Sequence, residues 1–435
     1  MRKTAVSIVF VTGAALAGCA SYTEETREIR SLYRSGSWSE ALQKLNSSSH
    51  LKEEKNRLLL RLERAMILDR LGERAKSRSA LIEADKIADA LFTTSISRTA
   101  ASFVVNEGST DYVGEDYEKV AIHTMLAMSF IKDRDYDAAR VEARKINNKL
   151  NEINARYEDK KNAYGEDAFA RYLSGTIYES KGDIDSAIID YAKAVELFGG
   201  DYREFSGAGV PGELVKALYH LLSERDRGDR IAKLTKSFPK AVAEAKSEAA
   251  EVRAGGAVVV LHELGHIATK STEEFVIPIG GQVVRFSFPV IRDGSWGGYG
   301  PTGLSVSPRG GASSGTFEAG TIVQNLNTIA RRTLEDRRGR YILKQGARLL
   351  AKGQLTEQAY QNFGPLGGIA ANVYSAVSET ADTRSWSLLP AAIYMTRVNL
   401  RPGTYDLAVK SDGRLQKITD VSVKKGEIII LRAGD

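Results

Sequence analysis

From Thr23 to about Glu251 apolar residues recur every three or four positions and prolines are few, so roughly half of the chain is committed to amphipathic helices. Helices that pack in pairs need small residues where their axes approach and a break where the chain reverses. Ala168 to Leu197 supplies both. Gly175 and Ala187 fall where the two helices of a hairpin touch, so neither can carry bulk. Ala194 is a further small contact, and Gly182-Asp183 breaks the chain between the helices. Tyr178 and Tyr191 are expected to fill the space toward the neighbouring hairpin. Gly36, Trp38, Ala41 and Leu45 repeat the pattern, as do Asp135, Tyr136, Ala139 and Ala143. Ala65, Leu68, Gly72 and Leu81 form a weaker copy.

These positions resemble the small and aromatic positions of the tetratricopeptide repeat (TPR). Gly36, Gly72 and Gly182 cannot share one period of that repeat, so a TPR-like array with insertions is expected. Stacked hairpins of this kind leave a groove lined by the first helix of each pair, which suits a peptide or a partner helix.

After Arg253-Ala254-Gly255-Gly256 the period changes. Ala257 to Leu261 is a β-branched run, and Glu274 to Ile279 and Val283 to Ile291 read as strands. Asp293 to Gly315 is crowded with Gly, Ser and Pro and reads as irregular. Thr321 to Lys352 returns to a helical period. The end reads as four strands, Ala392 to Val398, Tyr405 to Lys410, Gln416 to Val423 and Glu427 to Arg432, separated by turn residues. The expected fold class is α+β: residues 19–252 form a TPR-like α-helical domain, and 253–435 an α+β domain ending in a small β-sandwich. Its strands would span 257–291 and 386–433, around a helical insertion at about 321–380.

The first 19 residues set the expected address. Arg2 and Lys3 precede about a dozen apolar residues, too few to span a bilayer, and small residues then lead into Cys19, the one cysteine of the chain. Leu16-Ala17-Gly18-Cys19 resembles the lipobox of bacterial lipoproteins. The resemblance implies a signal peptide over 1–18, cleavage before Cys19, and acyl chains (palmitate among them) on the mature N-terminus. Ala20 stands where an Asp would resemble an inner-membrane retention signal, so the resemblance points to the outer membrane, periplasmic face. Loss of Arg2 and Lys3 lowers the net charge from +6 to +4, too mild to argue for nucleic acid. Charged residues at 27% and hydrophobic ones at 43% fit a folded chain and exclude a disordered or multi-span one.

His262-Glu263-Leu264-Gly265-His266 fits the H-E-x-x-H pattern. On a helix the two histidines would share a zinc ion and Glu263 would take a proton from metal-bound water. A third ligand would have to be a carboxylate, Glu318, Glu335 or Glu379. The glycine turn and β-branched run before His262 favour a strand instead, where the histidines would stand about 13 Å apart. The zinc peptidase is therefore the alternative reading, with zinc its cofactor. The leading reading is no cofactor and no catalysis.

Three landmarks carry a further resemblance: Gly114-Glu115-Asp116-Tyr117-Glu118-Lys119-Val120, Ala138-Ala139-Arg140-Val141-Glu142-Ala143-Arg144, and Ala381-Asp382-Thr383-Arg384-Ser385-Trp386 with Leu388-Leu389-Pro390 after it. Together they resemble an uncharacterised family of bacterial TPR-bearing envelope lipoproteins. Members often lie beside genes for peptidoglycan-synthase-activating lipoproteins. The resemblance implies a scaffold that binds envelope proteins during cell-wall or outer-membrane assembly. Asp382 and Arg384 are expected to form a buried ion pair.

Overall fold

The structure, a computed structural model, describes residues 13–97, 110–155, 164–279, 282–291, 302–311, 316–336, 381–411 and 414–433, with side chains at 13–23, 92–97 and 275–286 outside that description. The helical half consists of α1 (Gly13–Arg34), α2 (Trp38–Ser47), α3 (Arg57–Arg70), α4 (Arg74–Ser97), α5 (Asp116–Lys132), α6 (Tyr136–Ala155), α7 (Ala168–Ser180), α8 (Ile184–Gly199), α9 (Asp201–Ser206), α10 (Gly212–Glu224), α11 (Gly228–Ser237) and α12 (Pro239–Ala254). Among the described residues no helix is long and apolar enough to cross a membrane.

One turn recurs at the reversals α1–α2, α3–α4, α5–α6, α7–α8 and α10–α11. A residue with positive φ ends the first helix: Gly36, Gly72, Arg134, Gly182 and Asp226. The next amide then reaches back to a carbonyl five residues earlier, as Ser37 to Leu32, Glu73 to Leu68, Asp135 to Phe130, Asp183 to Tyr178 and Arg227 to Leu222. This closes each helix with its last carbonyls satisfied. The fifth hairpin was not singled out by sequence, because Asp226 stands where glycine punctuates three of the others.

Gly175 is set against the ring of Tyr191, and a Cβ there would lie 2.5 Å from Tyr191 Cδ1. The missing side chain is what lets α7 and α8 close. Tyr191 therefore fills its own hairpin, edge-on to Tyr172 at 5.7 Å, rather than reaching toward a neighbouring one. Tyr178 does reach outward, under the guanidinium of Arg140 on α6. Ala187 and Ala194 are fully buried.

The strand-rich half has three sheets among the described residues. The first runs β10 (Ile428–Ala433), β1 (Gly256–Leu264), β7 (Ala392–Leu400), β6 (Thr321–Asn325). The second is the hairpin β2 (Ser271–Ile279) and β3 (Gln282–Val290). The third runs β5 (Glu318–Ala319), β4 (Gly303–Pro308), β8 (Gly403–Ser411), β9 (Arg414–Val423). Central β1 is parallel to β10 and antiparallel to β7. It is covered on both faces, which explains its unbroken apolar run. Val258 and Val260 join Leu304, Leu407, Val409 and Val421 between the first and third sheets. Ala257, Val259 and Leu261 face the helices and merge with their core.

Two expectations need correction. Thr321 to Asn325 is strand β6, and the helix of that region begins at 326 and is described to 336. Its β-branched residues pair with β7 in the first sheet, and tertiary pairing overrides the helical period. The segment read as irregular contains β4, whose alternation of Leu304 and Val306 is hidden among Ser and Pro. The rest of the helical insertion, with Glu379, lies outside the described residues.

Candidate functional site

The groove expected along the first helices of the hairpins is filled by the chain's own strands. Acids on the array repeatedly meet donors on the strand-rich half. Glu63 of α3 accepts from Ser387 N and Oγ, both at 2.7 Å, and from Leu388 N at 3.2 Å. Glu118 of α5 accepts from Trp386 N at 2.7 Å and from Tyr112 OH. Asp167 accepts from Gln324 Nε2 at 2.7 Å. Glu179 of α7 grips Arg397 of β7 through two bonds of 2.7 and 2.8 Å, and Asp69 of α3 grips Arg432 of β10 at 3.2 and 2.7 Å. Glu115 pairs with Lys270. Tyr136 OH spans the junction as well, bonding both Ile430 N and Ile430 O at 3.2 Å.

The first and third sequence landmarks meet in this junction. Arg384 forms the buried ion pair with Asp382 at 2.7 Å, donates to Asn56 Oδ1 at 2.8 Å and to Thr110 O at 3.1 Å, and lies over the Tyr112 ring. Its pair thus ties residues 381–388 to the array. The middle landmark lies on α6, where Ala139 and Ala143 are buried and Glu142 accepts from His123 Nδ1 at 2.8 Å.

Burial governs the electrostatics. It pushes the Glu63 carboxyl up to about 7 and raises Glu118 and Asp167. Asp69 is also deeply buried, yet Arg432 holds its carboxyl below the usual range. Burial and the neighbouring Arg432 bring Lys132 down to about 8. Each of these carboxylates is already bonded to protein donors, and the arrangement locks two layers together.

The H-E-x-x-H residues are split by the strand. His262 and Glu263 lie on β1 and point to opposite faces. His262 turns toward the third sheet, with Nε2 2.9 Å from Thr396 Oγ1 and Nδ1 3.2 Å from Ser411 Oγ, and burial pulls its pKa down to about 4. Glu263 turns toward the helices and holds Arg432 at 2.8 Å and Arg70 at 3.0 Å. Gly265 has φ +61 and breaks the strand, and His266 then packs edge-on to Tyr33. His262 and Glu263 thus lie on a strand, as the β-branched approach to them predicts, and His266 follows its end, so the helical presentation that the zinc alternative requires is not formed. Glu318 lies on β5 and Glu335 on the helix from 326, pairing there with Arg332 at 3.2 Å; Cys19 lies on α1, its side chain outside the description.

An open apolar surface exists elsewhere, between the second helices α8 and α11 and over α10. Both α8 and α11 pack on α10, with little direct contact between them. Between them lies a groove of about 650 Å³. Leu218 and Leu222 of α10 form its floor, Ile189, Ala192 and Val195 one wall, and Leu234 with Phe238 the other. Ile189 is 63% exposed, the most open large apolar side chain among the described residues.

Comparison with known proteins agrees with the hairpin reading. Residues 170–199, which span α7 and α8, match a tetratricopeptide repeat family model. No curated protein sequence matches the chain. Among solved structures the chain is similar to MamA (residues 41 to end) from Desulfovibrio magneticus RS-1, at 19% identity over 55% of this chain and 99% of that one, with TM-score 0.29. It is also similar to a putative kinesin light chain from Podosopora anserina with TPR-like repeats, at 12% identity, 52% and 96% coverage and TM-score 0.31. A third likeness is to a Rap protein complexed with competence and sporulation factor, at 14% identity, 53% and 56% coverage and TM-score 0.30. At these values the likenesses carry no functional inference; the chain carries a TPR within an N-terminal helical array followed by a strand-rich half.

Proposed function

We propose that this chain is a lipid-anchored scaffold of the outer membrane, facing the periplasm, that binds envelope proteins and catalyses no reaction. The observation that carries the reading is the groove between α8 and α11, an apolar surface left open while the concave face of the array is filled. Such a surface on a folded protein marks an interaction site. The lipobox-like end at Cys19 supports the anchor, and the landmark resemblance supports the envelope. The HELGH residues contribute to the scaffold by holding β1 to α3 and to β8.

The test combines membrane fractionation with a metal assay. The wild-type chain is expected in the outer-membrane fraction with acyl label on Cys19, and Cys19→Ser is expected to lose both. A wild-type chain recovered without label from the cytosol overturns the anchor. Purified protein is expected to hold no stoichiometric zinc, and His266→Ala to retain partner binding. One tightly held zinc per chain, lost in His266→Ala, overturns the non-catalytic reading.

A further inference from the structure

We infer that the groove between α8 and α11 receives a single amphipathic helix of a partner protein, apolar on its inner face and acidic along its flanks. This inference rests on the scaffold reading and names the partner's chemistry. The groove has the walls and floor of a helix-packing site: one helix lies beneath and one on each side, the surroundings a third neighbour would have in a bundle. Ile189 to Gly199 runs about 15 Å along one wall, room for roughly ten helical residues. The lining is apolar at the centre and charged at the edge, which is the pattern of a helix-in-groove interface.

Charge selects the flank. Lys193, Arg230 and Lys233 border the groove against a single acid, Glu196. Lys193 is engaged by Glu166 at 3.1 Å and by Glu196 at 3.0 Å. Arg230 and Lys233 are exposed and make no ion pair among the described residues. A helix seated between the walls would bring its two flanks beside these cations. Glutamates or aspartates there gain attraction, and lysines or arginines meet repulsion, which sets specificity as well as encounter rate.

The experiment uses the full chain in detergent micelles and two labelled peptides of equal length, each with leucines at helical spacing and one with Glu flanks, the other with Lys. Fluorescence anisotropy is expected to show the Glu-flanked peptide binding at least tenfold more tightly, with the preference shrinking as salt rises. Ile189→Glu, at an exposed position that leaves the fold intact, is expected to weaken it a further tenfold or more. The double variant Arg230→Glu with Lys233→Glu is expected to reverse the preference. Equal binding of both peptides, binding of neither, or indifference to Ile189→Glu overturns the inference. A photo-crosslinker at position 189 in cells separates this outcome from the scaffold reading. Crosslinks to an acidic amphipathic helix support both. Crosslinks to a partner protein through any other segment overturn the helix and leave the scaffold standing. Crosslinks only to lipid or to a second copy overturn both.

Discussion

Glu63 is enclosed at the junction, yet its carboxyl titrates near neutrality. Burial raises it to about 7, against 4.5 for the exposed group. Between those values the folded chain holds a proton that the unfolded chain has released, so raising the pH through this window favours unfolding. The full loss, complete above pH 7, is about 3 kcal/mol. The urea midpoint is expected to fall between pH 5 and pH 7.5, and Glu63→Gln to remove that component; parallel slopes for the two proteins would rule it out. His262 acts in the opposite direction. Its pKa is pulled by burial from 6.5 to about 4, so its neutral form favours folding above 6.5 and this advantage is lost as the pH falls toward 4. At this scale the sequence was legible in part. The spacing of His262, Glu263 and His266 drew attention, and the β-branched approach already argued for a strand. What could not be read is that Glu263 answers Arg70 and Arg432, and Glu63 answers Ser387, because periodicity assigns a face and not a partner hundreds of residues away.

Among the elements, the hairpins were the most readable, because their punctuation is local. A glycine at Gly36, Gly72 and Gly182 permits the positive φ that the turn requires, and small residues mark the close approach. The turns at Arg134 and Asp226 keep the geometry with residues that pay for it in strain, and those hairpins were harder to see or were missed. Arg134, at φ 58, is therefore expected to become more stable by up to about 1 kcal/mol as Arg134→Gly, read as a rise in thermal midpoint. Gly175→Ala is expected to move the other way. Its Cβ would meet the Tyr191 ring, which cannot retreat because its hydroxyl is bonded to Glu179 at 2.6 Å and to Thr176 at 3.2 Å. A loss of about 1–3 kcal/mol is expected, with partial recovery in the background of Tyr191→Leu. The strands β4 and β6 escaped the sequence because each is short and takes its identity from a neighbour, β8 or β7, rather than from its own residues.

At the scale of the whole molecule, the buried bonds of the junction predict that the array and the sheets unfold as one cooperative body. Asp69 and Glu263 converge on Arg432 from α3 and β1, and their side chains are 6% and 0% exposed. Arg432→Ala would leave Asp69 buried without its bidentate partner, and Glu263 with Arg70 alone. Stranding buried charge in this way costs about 3–5 kcal/mol. The place where the cost is felt tells whether the halves are coupled. If they unfold together, amides of α3 and α5 are expected to exchange faster in Arg432→Ala by a factor similar to that for β10, although Arg432 lies on the last strand. Faster exchange confined to β10 and β1 would mean that the array stands without the sheets. Its concave face would then be free to open to a partner, and the groove between α8 and α11 would lose its claim as the surface on which binding depends.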